Sequence, residues 1–596
     1  MRYPTLNEIP NSRQMLSTFG GYNHNLRVRD GEFFDMKNLT STHYPVISPR
    51  GKRGTYLTLE KPQGMIAKDA LCYVDGSYFV INEKRIDMGL SEKEEDCPKQ
   101  LVSMGAFVVI LPDKKYINTA DLTDFGNIEA KFETKADVSF SLCKLDGESY
   151  TNTVVSDTAP KEPNNMDLWL DTSSKPNSLK QFSDTTGMWV SIATTYIKIS
   201  SPGIGAEFKK YDGVSISGIK SEKLKDINAS MVLWDVYHNE EENGNGDYIV
   251  VIGILDEAIT QTFNTETGEG SITIERKMPS MDFIIESGNR LWGCRYGVAN
   301  NGDVVNEIYA SKLGDFKNWN CFMSVSTDSY VAQCGTDGKF TGAIAHLGYP
   351  VFFKENYMHK VYGNYPANYQ VQSTACRGVQ EGCGDSLAIV NEVLYYKSRN
   401  GVCAYDGSLP AEISYALGEV SYDDAVACGY GNKYYISMRD GNGKYHLFAY
   451  DVQKDMWHKE DNLAVKEFCT CRNELYFIER DGTDIKTMFG SGTLDTTPIS
   501  WMAETGVMGT DMPDKKYISR LNIRMSVDVG TKVYLYIQYD SMGEWEQVAT
   551  ITGTTLRSFT LPVRPKRCDH MRIRIVGEGD AKIYSITKTI EEGSDI

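Results

Sequence analysis

The chain has 596 residues, a net charge of −18, 41% hydrophobic and 24% charged residues. It can bury sizeable cores without disulfide or metal staples, and its composition excludes a low-complexity or collagen-like chain. The acidic balance excludes a surface that holds nucleic-acid phosphate or an anionic membrane over its whole extent.

In chain order, 1–60 reads as an extended strap. Its first fifteen residues are polar and hold two prolines, so no apolar signal core is expected there. The strap is marked by Phe33, Phe34 and Tyr44 and ends in the basic cluster Arg50, Lys52 and Arg53. A basic arm on an acidic protein reads as a docking strap for an acidic neighbour such as another copy, or else as a solvated linker. Residues 61–133 hold strand-like runs, with a hairpin at Asp75-Gly76 and an apolar strand over 106–111.

Residues 134–206 change the rhythm and read as an inserted Trp-containing β module. Trp169, Phe182, Trp189 and Tyr196 are its candidate binding face for a sugar or a partner. The other reading is that these rings are the core of a module too small to spare any of them. Residues 207–276 read as a second inserted β module. It holds the longest clean apolar stretch, Tyr248 to Leu255, far too short to span a bilayer, so no membrane insertion is expected.

Residues 277–495 carry a repeat. Trp292, Val351, Leu394, Tyr434 and Tyr476 begin similar aromatic strands at spacings of 59, 43, 40 and 42 residues. About forty residues with four short strands is the size of a propeller blade. The predicted fold is therefore all-β: a β-propeller of about six to eight blades, with inserted small β modules. Residues 496–590 alternate in period two, as in Val533 to Tyr539 and Met571 to Ile575, and predict a C-terminal β-sandwich. Residues 591–596 read as a tail.

Chemistry is sparse in the sequence. There is no G-x-S-x-G, no P-loop and no H-E-x-x-H. Thirteen cysteines read as reduced core thiols of a chain made in a cytoplasm. No metal, cofactor or catalytic residue is assigned, and the expectation is a protein that is not an enzyme. With 80 carboxylates, a glycosidase pair cannot be picked out by position.

The strap pattern Gly31-Glu32-Phe33, Asn38-Leu39, Tyr44-Pro45 and Pro49-Arg50, together with the segment Ile308 to Trp319, resembles propeller-type virion proteins. The family is the tail hub or nozzle (head- or DNA-stabilisation) proteins of short-tailed phages infecting gut bacteria. That resemblance implies a structural virion protein of a bacteriophage tail, assembled in the host cytoplasm. It implies a homohexameric ring that extends the portal channel and takes part in DNA ejection. The implied partners are further copies of itself, portal or head-tail adaptor proteins, tail fibre proteins, and dsDNA passing through the lumen without sequence-specific binding. The alternative is a glycan-binding or glycan-cleaving receptor-recognition propeller. Two or three carboxylates clustered with arginines at one channel mouth would mark it.

Overall fold

The computed structural model describes residues 11–592 apart from 242–243, 300–301, 491, 511–514 and 565. The first ten residues of the strap and most of the expected tail lie outside the described residues.

Seven antiparallel blades, six of four strands and the seventh of five, form the propeller, and each begins with an inner strand. These inner strands are Pro62–Lys68, Gln100–Met104, Phe283–Glu286, Gly342–His346, Ala388–Val390, Tyr422–Tyr430 and Val465–Cys471. Neighbouring inner strands touch around a ring, with the short turn Gly384–Ser386 bridging blades four and five, and the seventh strand meets the first. The second strand of each blade lies between two neighbouring blades and is buried on both faces. Hence Phe352-Phe353, Tyr395-Tyr396 and Tyr434-Tyr435 run as continuous buried apolar pairs rather than alternating.

The strap closes the ring. Gly54–Thr58 is the fourth strand of blade seven, paired antiparallel with Asp484–Thr487 on one side and with the short strand Thr493–Leu494 on the other. Upstream, Glu32–Lys37 pairs with Ser500–Thr505 in the C-terminal sandwich. The strap is thus shared between two β structures. The sandwich is organised by one strand of 24 residues, Lys516–Tyr539. It pairs with Ala581–Glu592 along its first half and with Met571–Glu578 along its second, through a bend near 528–531. One hydrophobic core continues from Leu535, Ile537 and Ile575 through Phe33 to Trp457, Tyr396 and Phe353 of the propeller.

The two modules expected at 134–206 and 207–276 are interleaved. Val138–Cys143 pairs with both Tyr196–Ser200 and Ile259–Gln261. Ala130–Glu133 pairs with Thr273–Arg276. One core, including Phe140, Ile197, Ile249 and Ile274, fills the space between the resulting sheets. The Trp-containing strands form a small separate sheet emerging from a loop of this domain. The compositional break within 134–200 marks that sub-insertion, not a domain boundary. Gly213 lets the domain approach blade three closely, because a Cβ there would lie 2.4 Å from the Asn320 carbonyl oxygen. Asp212, Arg276 and Asn318 form a buried hydrogen-bonded group beside it.

Candidate functional site

The seven inner strands run the same way along the channel, so their first residues share one mouth. Polar side chains collect within three residues of those starts. They are Lys99 in blade two, Asp282 in blade three, Asp385 in blade five, Asp423 and Asp424 in blade six, and Glu467 in blade seven. The channel holds a cavity of about 480 Å³ lined by residues from all seven blades. Its wall is largely apolar, with Met65, Leu101, Ile284, Ile344 and Phe468, and it carries Lys99, Asp385, Lys466 and Glu467 as charged groups.

Glu467 follows an irregularity in strand register between Val465 and Glu467. Its Oε1 accepts a 2.7 Å hydrogen bond from the Met65 N–H. Its Oε2 is sealed from solvent without a hydrogen-bond partner. Burial pushes the carboxyl up from the ordinary 4.5 to about 8, and the charge of Asp385 adds to the rise. At neutral pH this group is a protonated acid whose second oxygen has no acceptor within the protein. A buried polar atom left in this state in a cavity wall is the kind of exception that marks a ligand site.

Asp385 sits in the turn Gly384–Ser386 and is exposed to the channel, while the surrounding walls enclose its carboxylate. That enclosure raises its pKa, Arg480 opposes the rise, and Asp424 adds to it. Asp424 occupies the left-handed region at φ +46°, within the irregular stretch Asp423–Val426. Aspartate tolerates this conformation better than most residues, and such positions concentrate at functional sites. The bend turns its carboxylate towards two donors. Arg480 Nη2 donates to Oδ1 at 2.7 Å and the Tyr445 hydroxyl donates to Oδ2 at 2.5 Å. The Arg480 guanidinium lies 5.1 Å from the Tyr445 ring centroid, and its Nε is buried without a hydrogen-bond partner. Next to it, Arg439 holds Asp423 through two hydrogen bonds of 2.8 and 3.2 Å. Across the channel Lys99 and Asp113 form a buried ion pair at 2.7 Å.

Three carboxyl groups therefore line up at a single mouth: Asp424 on Arg480 and Tyr445, Asp385 within the field of both Arg480 and Asp424, and Glu467 within the field of Asp385. Two of the three are pushed towards the protonated form. Carboxyl groups whose environments separate their protonation states can divide acid and base roles between them.

The residues singled out by sequence lie elsewhere. Trp169 is buried, donates its indole N–H to the Ser156 carbonyl at 3.1 Å, and meets Trp189 edge-on at 5.5 Å. Phe182 packs on Trp189 at 5.4 Å. These three are the aromatic centre of the small sheet. Tyr196 belongs to the neighbouring sheet and packs against Trp234, so the four rings form no common face. In the strap, Phe33 is buried and the Phe34 ring stacks on His24 at 4.3 Å, while Tyr44 is partly exposed. Arg53 pairs with Glu460 at 3.1 Å and Asp461 at 2.7 Å, and Arg50 reaches Asp461 at 3.3 Å. Lys52 donates to the Asp495 carbonyl. The acidic neighbour of this basic cluster is blade six of the same chain. The mouth residues were missed because Asp-Asp at a strand start and Glu within a strand look like surface charge in an acidic sequence. Their one signal is that aspartate is disfavoured inside strands.

No protein-family model matches the chain, and no curated protein matches it. Among solved structures it is similar to a glycoside hydrolase at 13% identity, covering 50% of this chain and 96% of that one, with a TM-score of 0.20. It is also similar to Trypanosoma rangeli sialidase in complex with sialic acid, at 8% identity, covering 91% and 96%, with a TM-score of 0.20. An exo-beta-1,3-galactanase from Phanerochaete chrysosporium matches at 8% identity over 77% and 100%, with a TM-score of 0.18. Likeness at this level carries no information about substrate. These three are glycosidases or a sialidase and none is a phage tail protein, a finding that runs against the expectations of a structural tail hub and of a protein that is not an enzyme.

Proposed function

We propose that the chain binds a glycan at this channel mouth and hydrolyses it with Glu467 as the proton donor. The observation that carries the reading is an apolar-walled cavity that holds Asp385 and Glu467, with the Asp424–Arg480 pair acting on Asp385 from beside it. Glycosidic bonds break when one carboxylic acid protonates the leaving oxygen and a second carboxylate acts from the other side of the sugar ring. Glu467 supplies the first role, because its proton is retained at neutral pH and its Oε2 has no other acceptor. Asp424, fixed by Arg480 and Tyr445, supplies the second. Asp385 faces the ligand and Arg480 together and orients sugar hydroxyls.

The test is a reducing-end assay of the native chain on a panel of polysaccharides, beside glycan binding by calorimetry. Glu467→Gln keeps the Met65 hydrogen bond and the shape of the wall. It is expected to lower bond cleavage by about 100- to 10,000-fold, the usual contribution of a general acid, while binding persists. Equal cleavage by wild type and variant removes Glu467 from the acid role. Absence of glycan binding by the native chain ends the reading.

A further inference from the structure

The mouth is not the only cavity on its face. A pocket of about 530 Å³ opens at the rim between blades five and six. It is built from the loop 399–400, which links the second and third strands of blade five, and from the link 413–421 between the two blades. Second strands end, and inner strands begin, on the same side of a blade as the mouth. Both cavities therefore open on one face.

Three features give this pocket the chemistry of a sugar site. First, Tyr415 projects into solvent at its edge with 80% of its surface exposed, a flat ring of the kind onto which the apolar face of a pyranose packs. Second, the turn that carries it is held rigid by the strap. His24 N–H donates to the Ala416 carbonyl at 2.8 Å and the Asn25 amide donates to the Tyr415 carbonyl at 2.9 Å. Gly418, at φ +77°, lets the His24 carbonyl come within 2.7 Å of where a Cβ would stand. Third, the lining is rich in hydroxyl-binding groups and carries both signs of charge. Lys397 is buried, with its ammonium bonded to Gln380 Oε1 and the Ser398 carbonyl, which occupies two of its three N–H donors. Arg399 and Glu419 form no ion pair among the described residues, and Asn400 and Ser421 complete the polar wall. Val402, Leu417 and Met438 supply apolar surface beside it. An arginine and a glutamate facing one space give no net preference for an anion.

The two cavities share a strand. Tyr422 lines the rim pocket, and Asp424, two residues on, belongs to the mouth cluster. Two residues of extended chain span ~7 Å, about one sugar ring.

We infer that the rim pocket is a second sugar subsite, so that the ligand is a chain of neutral sugars running from Tyr415 across Asp423 into the channel mouth, rather than a single terminal sugar. This rests on the glycan reading of the mouth and adds to it the length and charge of the ligand. Tyr415 stacks one ring, the Arg399 and Asn400 side chains bind its hydroxyls, and the next ring enters beside Asp424.

The test is calorimetric titration of the full chain with neutral monosaccharides and hexasaccharides of hexoses and pentoses, and with a uronate-containing hexasaccharide as the anionic comparison. Wild type is expected to bind one neutral hexasaccharide at least tenfold more tightly than its monosaccharide. Tyr415→Ala and Arg399→Ala are expected to remove most of that gap at unchanged melting temperature, since both side chains are exposed. A gap that survives both substitutions overturns the rim subsite while the mouth reading stands. Tighter binding of the uronate chain, lost selectively in Arg399→Ala, overturns the neutral assignment. Failure of wild type to bind any member removes the mouth reading and the subsite with it.

Discussion

Glu467 is held at a cost that a stability measurement can read. Its native pKa near 8 lies above the ordinary 4.5. Below about 4.5 the side chain is protonated in both the folded and unfolded states and the difference vanishes. Between 4.5 and 8 the unfolded chain releases the proton that the native chain keeps. Stability therefore falls as pH rises through this window, by up to about 1.4 kcal/mol per pH unit, and the loss is complete above 8. Glu467→Gln removes the penalty. The variant is expected to melt higher than wild type at pH 8 and at the same temperature at pH 4, by calorimetry or circular dichroism. A gain in stability bought by a loss of activity is characteristic of a functional group held against its own preference. Nothing in the sequence around Lys466-Glu467-Phe468 announces this, because the penalty comes from burial in the channel wall and from Asp385, more than eighty residues away, against the opposing hydrogen bond from Met65. The aromatic residues misled for the opposite reason. Trp169 and Trp189 are conspicuous in sequence because a small sheet needs large rings at its centre.

At the scale of elements, the blades were legible because each repeats the same physical demand. A strand buried on both faces must be continuously apolar, and Leu394-Tyr395-Tyr396 and Tyr434-Tyr435-Ile436 satisfy it forty residues apart. The strap was legible as an extended segment but not as the fourth strand of blade seven, since Gly54–Thr58 gains its partners only from the far end of the repeat. Its fastening is the buried group of Arg53 with Glu460 and Asp461. Burial raises the Glu460 pKa, and Arg53 and Arg50 oppose that rise. Arg53→Met leaves Glu460 without its nearer partner and is expected to cost about 3–5 kcal/mol, the penalty of breaking a buried pair. The double variant Arg53→Met/Glu460→Leu is expected to recover much of it, since apolar replacement of both partners is often neutral. Urea titrations of the four species close the cycle. Equal losses in the single and double variants would mean that the ion pair is incidental to the closure.

For the whole molecule, the fold class follows from local patterns, whereas the count of seven blades and the site follow from closure alone. Asp385, Asp424 and Glu467 are separated by 39 and 43 residues in sequence and meet because successive blades bring the same strand end to the same mouth. The inserted domain was divided wrongly for a related reason, since its sheets are completed by strands from both sides of the Trp-containing segment. The cysteines report on the integrity of the ensemble. All thirteen are free thiols, and ten are buried in cores that span blades, insert and sandwich. Burial raises the pKa of Cys469, Cys294 and Cys72 well above that of an exposed thiol. A chromogenic disulfide reagent is expected to label at most Cys97, Cys376 and Cys428 promptly in the native protein and all thirteen after denaturation. Prompt native labelling of more than three would mean that the cores open as separate units.

The closure also sets an order in time. Gly54–Thr58 leaves the ribosome some 430 residues ahead of its partner Asp484–Thr487. Through most of translation the first blade faces an empty place where the seventh will stand. The nascent chain carries an open arc of blades with unpaired edges, and only the last-made part of the repeat converts it into a ring. Long-range pairing of this kind makes folding slow and leaves strand edges open to wrong partners. The channel mouth, and every residue that works there, comes into existence only at that final step.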